Sequence, residues 1–156
     1  MEMVTVAESH DRSYERRFGV TFTISFILSM MVAPFFLADT FPDEAHGLVL
    51  VLLFLGGIFS AAPMFLESLL IAAIVFFPVC SKASSIIGSR AAFVFGATLA
   101  AFVGATLALL VHVEFSPFQI MFAPEGWWFG SKAGLVAATI TFFVAAMQLV
   151  VPKSHE

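Results

Sequence analysis

Four apolar stretches, residues 18–38, 47–80, 91–111 and 133–152, dominate this chain and contain a single formal charge between them. Each is long enough to cross a hydrocarbon core, which takes roughly 20 helical residues. Within a bilayer every backbone N–H and C=O must be satisfied by the protein, so a spanning segment is a helix or a strand of a closed barrel. The strict alternation of barrel strands is absent. The reading is an all-α integral membrane protein, an antiparallel bundle of four transmembrane helices.

Composition agrees. Of the 156 residues, 12% are charged, and mean hydropathy is +1.01; a soluble domain carries about twice that charged fraction. The net charge of −4 comes with no basic patch, which argues against nucleic acid as a partner. Cys80 is the only cysteine, so an internal disulfide, a cysteine metal cluster and a CxxC redox pair are excluded. Residues 1–17 are polar, with Arg12, Arg16 and Arg17 just ahead of the first stretch. That stretch outruns a signal-peptide core of about 7–15 residues, and Ala38-Asp39-Thr40 is a poor cleavage site, so the first helix is expected to be retained.

The second stretch is oversized. Its length corresponds to about 51 Å of helix at 1.5 Å per residue, against a core of about 30 Å. Pro63 lies in its middle, after Gly56, Gly57 and Ser60. It is therefore one long kinked helix crossing once, or a hairpin turning near Pro63. Charge decides. With a single crossing and the N-terminus inside, Arg12, Arg16, Arg17, Lys82, Arg90 and Lys153 share the cytoplasmic side and Lys132 alone lies outside. The positive-inside rule favours that arrangement, and the hairpin destroys it.

The expected layout is a cytoplasmic segment 1–17, helices at about 18–38, 42–80, 91–112 and 130–152, and a cytoplasmic tail 153–156. The loop 81–90 is then inside, and 39–46 and 112–129 are outside. Thr40 can cap the second helix, with Asp43 in its first turn. Pro63 has no N–H for the Phe59 carbonyl, which predicts a kink there. Size and the lack of eukaryotic targeting signals suggest a bacterial inner membrane, with both termini inside.

The third helix carries a row of small residues spaced by four: Gly88, Ala92, Gly96, Ala100, Gly104 and Ala108. Such a row lines one face and lets another helix approach backbone to backbone. The fourth helix answers with Gly130, Gly134 and Ala138, so the third and fourth are expected to form a tight hairpin. The alternative is that a stripe faces a second copy or a larger partner. Between these helices, Trp127 and Trp128 with Phe115, Phe118, Phe122 and Phe129 suit the headgroup layer, where aromatic rings concentrate.

Glu67 is the one charged residue within the four stretches. Counted from Val79, it lies about 18 Å into the membrane. An ionised carboxylate there costs about 2.5–3.5 kcal/mol on insertion scales, so it is expected to face protein, protonated and hydrogen-bonded. Ser29, Thr139 and Thr141 lie at similar depth, and Thr21, Ser25 and Ser29 form a polar row on the first helix. On the outer side, Asp39, Asp43, Glu44, His46, His112 and Glu114 read as a solvated acidic rim. No HxxxH or ExxH spacing there fixes two histidines on one face, and no metal is expected.

Enzyme signatures such as GxSxG, a P-loop and HExxH are missing, and no hydroxyl or thiol stands beside a base that could activate it. No catalytic residue and no cofactor is expected. The four-helix outline is common to many small membrane subunits and ties the chain to no family. Two function classes follow. One is a non-catalytic accessory or scaffold subunit of a larger membrane assembly, its partners the lipid bilayer and other membrane subunits or itself. The other is a small oligomeric transporter or channel using Glu67 for proton, ion or substrate handling.

Overall fold

A computed structural model describes residues 2–39, 46–115 and 126–150, with side chains for 16–39, 46–111 and 127–150. These residues form α1 (Glu2–Ala38), α2 (His46–Ile87), α3 (Ser89–Phe115) and α4 (Gly126–Val150), with no strand among them. Each helix contains a span long and apolar enough to cross a membrane: Arg16–Ala38, His46–Ile87, Ser89–Val111 and Trp127–Val150. The chain is an all-α, four-helix membrane bundle.

The helices outrun their apolar stretches. α1 reaches back to Glu2, because residues 2–17 hold neither Gly nor Pro to stop it. α2 runs unbroken through Pro63 and Pro78 to Ile87, 42 residues in all, or about 63 Å. It is one continuous helix and not a hairpin turning near Pro63. Its expected start at residue 42, and the Thr40 cap, lie outside the described residues. α4 begins at Gly126, so Trp127 and Trp128 stand in its first turn rather than in a loop.

The expected 81–90 loop is one residue. Gly88 alone separates α2 from α3, with φ of +81°, a left-handed conformation that costs an L-residue about 1–2 kcal/mol. The Ala92 N–H donates to the Gly88 carbonyl at 3.0 Å as α3 begins. Just before the turn, the Ser84 and Ser85 hydroxyls donate to the carbonyls of Ser81 and Lys82, each at 2.8 Å. Gly88 is exposed and meets no neighbour within 4 Å. It is a turn residue and not the first member of the packing stripe.

The rest of the stripe is buried, but mainly against α2. Ala92, Ala100 and Ala108 have no exposed surface. A methyl group built on Gly104 would lie 2.8 Å from the Ser68 carbonyl oxygen and 3.2 Å from Ala72 Cβ. One built on Gly96 would lie 3.4 Å from the Phe76 ring and 3.5 Å from Cys80 Cβ. The Ser68 hydroxyl donates across this seam to the Gly104 carbonyl at 3.3 Å. The α2 side is thus the row Ser68, Ala72, Phe76 and Cys80, also spaced by four.

α4 uses a different face of α3. A methyl on Gly130 would lie 3.1 Å from the Thr106 carbonyl, and one on Gly134 would lie 2.9 Å from the Phe102 carbonyl and overlap the Thr106 hydroxyl. The hydrogen that Gly134 carries in place of Cβ therefore points at the Thr106 oxygen, a Cα–H···O contact of the kind found where helices approach closely. So α3 and α4 do pack tightly, and α3 is the central element, gripped by α2 on one side and α4 on the other.

α1 closes the bundle against α4 and α2. Thr21 is fully buried, and its hydroxyl lies 2.8 Å from both the Arg17 carbonyl and the Gln148 side-chain oxygen, tying α1 to α4. Toward the Gly88 end the interior is aromatic. Phe18 stacks on Phe76 at 4.1 Å, Phe76 meets Phe93 edge-on at 5.7 Å, and Phe65 meets Phe22 and Phe26 at 5.9 and 5.1 Å. With Ala72, Ala97, Ala100 and Ala145 these rings make one continuous core.

Candidate functional site

The far half of the bundle is hollow. A cavity of about 250 Å³ lies between all four helices. α1 contributes Ser25, Ser29, Met30 and Leu37, and α2 contributes Leu53, Gly56, Gly57 and Ser60. Ala101 and Ala105 of α3, with Ala133, Ala137 and Thr141 of α4, complete the small-residue wall. Phe22, Phe26 and Ser68 border it toward the Gly88 end, where the aromatic core begins. The size is ample: a cavity of about 150 Å³ holds a benzene molecule.

Four of the polar side chains in this cavity fall into two classes. The Ser68 hydroxyl donates to Gly104, and the buried Thr141 hydroxyl donates to the Ala137 carbonyl at 2.7 Å. The Ser25 and Ser29 oxygens are buried with no hydrogen-bond partner. On α3, away from the cavity, the Thr98 and Thr106 hydroxyls are buried without a partner, while on α1 and α4 the hydroxyls of Thr21, Thr23, Thr139 and Thr141 each reach the carbonyl four residues back. Ser25 and Ser29, one turn apart on the same face of α1, do not. A buried hydroxyl left unsatisfied costs about 1–3 kcal/mol.

Glu67 is placed differently from the expectation. It is half-buried and is not among the residues around the cavity. Pro63 and Leu70, one turn to either side, are exposed, as are Leu66 and Ile74. Ser29 is not its partner, because the Ser29 oxygen has none. Thr139 is exposed, bonds Leu135 at 2.8 Å, and lines a shallow groove between α1 and α4 with Phe36, Asp39 and Lys132. The physical reason is register. Ser29 precedes Met30, which stands over Gly57, while Phe65 stands against Phe22 and Phe26. Ser29 and Glu67 therefore differ in height by on the order of 10 Å at 1.5 Å per residue.

Of the proposed polar set, then, Ser29 and Thr141 meet at the cavity, while Glu67 and Thr139 stand outside it. Among the glycine and serine residues of the lining, the sequence marks Ser25 only as part of a polar row and Gly56, Gly57 and Ser60 only as residues ahead of Pro63, and it singles out Ser68 not at all. At the far end, His46 Nε2 lies 3.6 Å from Asp39 Oδ1, joining α1 to α2. Asp43 and Glu44 lie outside the described residues, as do the side chains of His112 and Glu114. Among the described residues no three His, Cys, Asp or Glu side chains gather as a metal site. Trp127 and Trp128 are 72% and 61% exposed, with Lys132 Nζ 5.6 Å from the Trp128 ring centre, an arrangement suited to a headgroup layer. Comparison with protein-family models, with curated proteins and with solved structures gives no match for this chain.

Proposed function

We propose that this chain is a non-catalytic subunit of a larger membrane assembly, and that a partner helix seats on the outward face of α2 around Glu67. One observation carries the reading: α2 is the least internally packed helix, and Pro63, Leu66, Leu70 and Ile74 make one exposed, largely apolar face midway along it. Of its most apolar window 6% is buried, against 39% in α3.

Among the described residues, Arg16, Arg17, Lys82 and Arg90 lie on the Gly88 side of Glu67 and Lys132 lies toward the other end. That distribution supports both termini inside. The alternative, an oligomeric transporter using Glu67, has to route its cargo between copies. Within one bundle Phe18, Phe22, Phe65 and Phe76 fill the space between the cavity and the Gly88 end.

Photo-crosslinking side chains at Leu66 and Leu70, compared with Phe143 on the exposed face of α4, test the proposal in native membranes. The expected result is a discrete protein adduct from 66 and 70 and none from 143. An adduct of twice 16.9 kDa would replace the hetero-subunit reading with self-association. Lipid adducts alone at all three positions would overturn both.

A further inference from the structure

We infer that the cavity in the far half of the bundle is a binding site for a lipophilic molecule with an apolar chain ending in a carbonyl oxygen, the chemistry of a fatty acyl ester. The inference is independent of the docking face on α2, which lies outside the cavity.

Three observations converge on this class. The walls are largely hydrocarbon: Phe22, Phe26, Leu37, Val49, Leu109 and Phe129 enclose the space, and it exceeds what an aromatic ring requires. Within those walls the Ser25 and Ser29 hydroxyls are buried and unpartnered, Ser25 at 3% exposure. A hydroxyl has a proton to give, so the complementary ligand atom is an acceptor, and a carbonyl oxygen can receive from both serines at once. Neighbouring threonines on α1 and α4 satisfy themselves on their own backbone. Of the four buried hydroxyls without a partner among the described residues, Ser25, Ser29, Thr98 and Thr106, only these two serines line the cavity.

The wall facing the bilayer supplies the way in. Along the α1–α2 seam, Met30, Gly56, Gly57 and Ser60 are partly exposed and Leu52 is exposed. Gly56 has nothing within 4 Å of a built Cβ, and Gly57 is covered only by the tip of Met30, 3.0 Å away. Methionine is unbranched and easily displaced, a suitable cover for an opening onto lipid. The aromatic core closes the opposite end. A molecule therefore comes from the hydrocarbon, lays its chain into the cavity, and stops with its oxygen at the serine pair.

The test uses the full-length protein in lipid nanodiscs and a medium-chain fatty acid methyl ester carrying a terminal diazirine. Saturable labelling is expected on peptides covering 25–37 and 49–64, competed by the unlabelled ester. Ser25→Ala with Ser29→Ala should weaken that competition roughly tenfold, or about 1.4 kcal/mol. The double variant should melt no lower than the parent, since it removes two unpartnered hydroxyls. Gly56→Leu fills open space in the cavity and should abolish labelling while the protein stays folded. A diazirine-bearing phospholipid in a parallel experiment separates the sources. Labelling of the same peptides assigns the site to bilayer lipid, and its absence assigns the site to a free ester. Non-saturable labelling spread over lipid-facing residues such as Ile58 and Phe59, unchanged in both variants, would overturn the inference.

Discussion

Replacing Gly104 with alanine is the sharpest probe of the packing plan, because the obstacle is backbone. The new methyl would sit 2.8 Å from the Ser68 carbonyl oxygen, about 0.6 Å short of ordinary contact, and 3.2 Å from Ala72 Cβ. Neither atom is the end of a flexible side chain, so α2 and α3 must part. Overpacking of this kind costs about 1–3 kcal/mol. Separation also stretches the 3.3 Å bond from the Ser68 hydroxyl to the Gly104 carbonyl, worth about 0.6 kcal/mol on average between membrane helices. The better helix propensity of alanine returns up to about 1 kcal/mol. The net expectation is a loss of about 1–2.5 kcal/mol, read as a shift in unfolding by SDS in mixed micelles. Gly19→Ala is the control, since Gly19 has nothing within 4 Å. It should be neutral or slightly stabilising. Ala72→Gly added to Gly104→Ala should recover only part of the loss, because the carbonyl overlap remains. If Gly104→Ala and Gly19→Ala unfold together within about 0.5 kcal/mol, α3 does not approach α2 through this row and the reasoning fails.

Two further outcomes bear on topology and on the turn. With Cys80→Ser as background, a cysteine at Ser85 should react with membrane-impermeant maleimide only after the membrane is opened; labelling of intact cells or spheroplasts from outside would invert the proposed orientation. Gly88→Ala should destabilise by about 1–2 kcal/mol through backbone strain alone, since its Cβ meets nothing within 4 Å, and Gly88→Asn should cost less because Asn visits the left-handed region more readily; equal stability of all three would remove the turn from its φ of +81°.

Helix number and the continuity of α2 were legible because both follow from hydropathy and charge. The limits of the helices were not. Hydropathy finds where a segment is compatible with hydrocarbon, while a helix ends where its backbone meets a breaker. Ser81–Ile87 is polar enough to look like a loop, yet its serines bond back to the preceding turn and Gly88 is the first residue that stops it. That error carried over to Glu67. Its position was counted from Val79, eight residues before the end of α2, and the assumed neighbourhood with Ser29 went with it. The row on α3 was legible as a close-packing face, but the identity of its main partner was not. The opposing row on α2 mixes Ser68 and Ala72 with Phe76 and Cys80, so it has no small-residue signature. What fits Phe76 is the absence of a side chain at Gly96 across the seam, a relation between two helices that neither sequence displays alone.

The cavity arises from the same logic working in reverse. Ser25, Ser29 and Ala33 on α1, Gly56, Gly57 and Ser60 on α2, Ala101 and Ala105 on α3, and Ala133 and Ala137 on α4 are all small. Read one helix at a time, each set is an invitation to close approach. Close packing needs large residues on one side to enter the spaces left by small ones on the other. Near the Gly88 end that condition holds, with Phe76 set against Gly96 and Phe18 laid over Phe76. In the far half small faces small across the bundle axis, the helices are already held apart by Phe22, Phe26, Leu37 and Phe129 at the margins, and among the described residues no side chain occupies the middle. The hollow is therefore a property of four coincident choices at one level. Filling it with Gly56→Leu should raise stability through new contacts while removing the proposed ligand's space, so stability and binding should move in opposite directions.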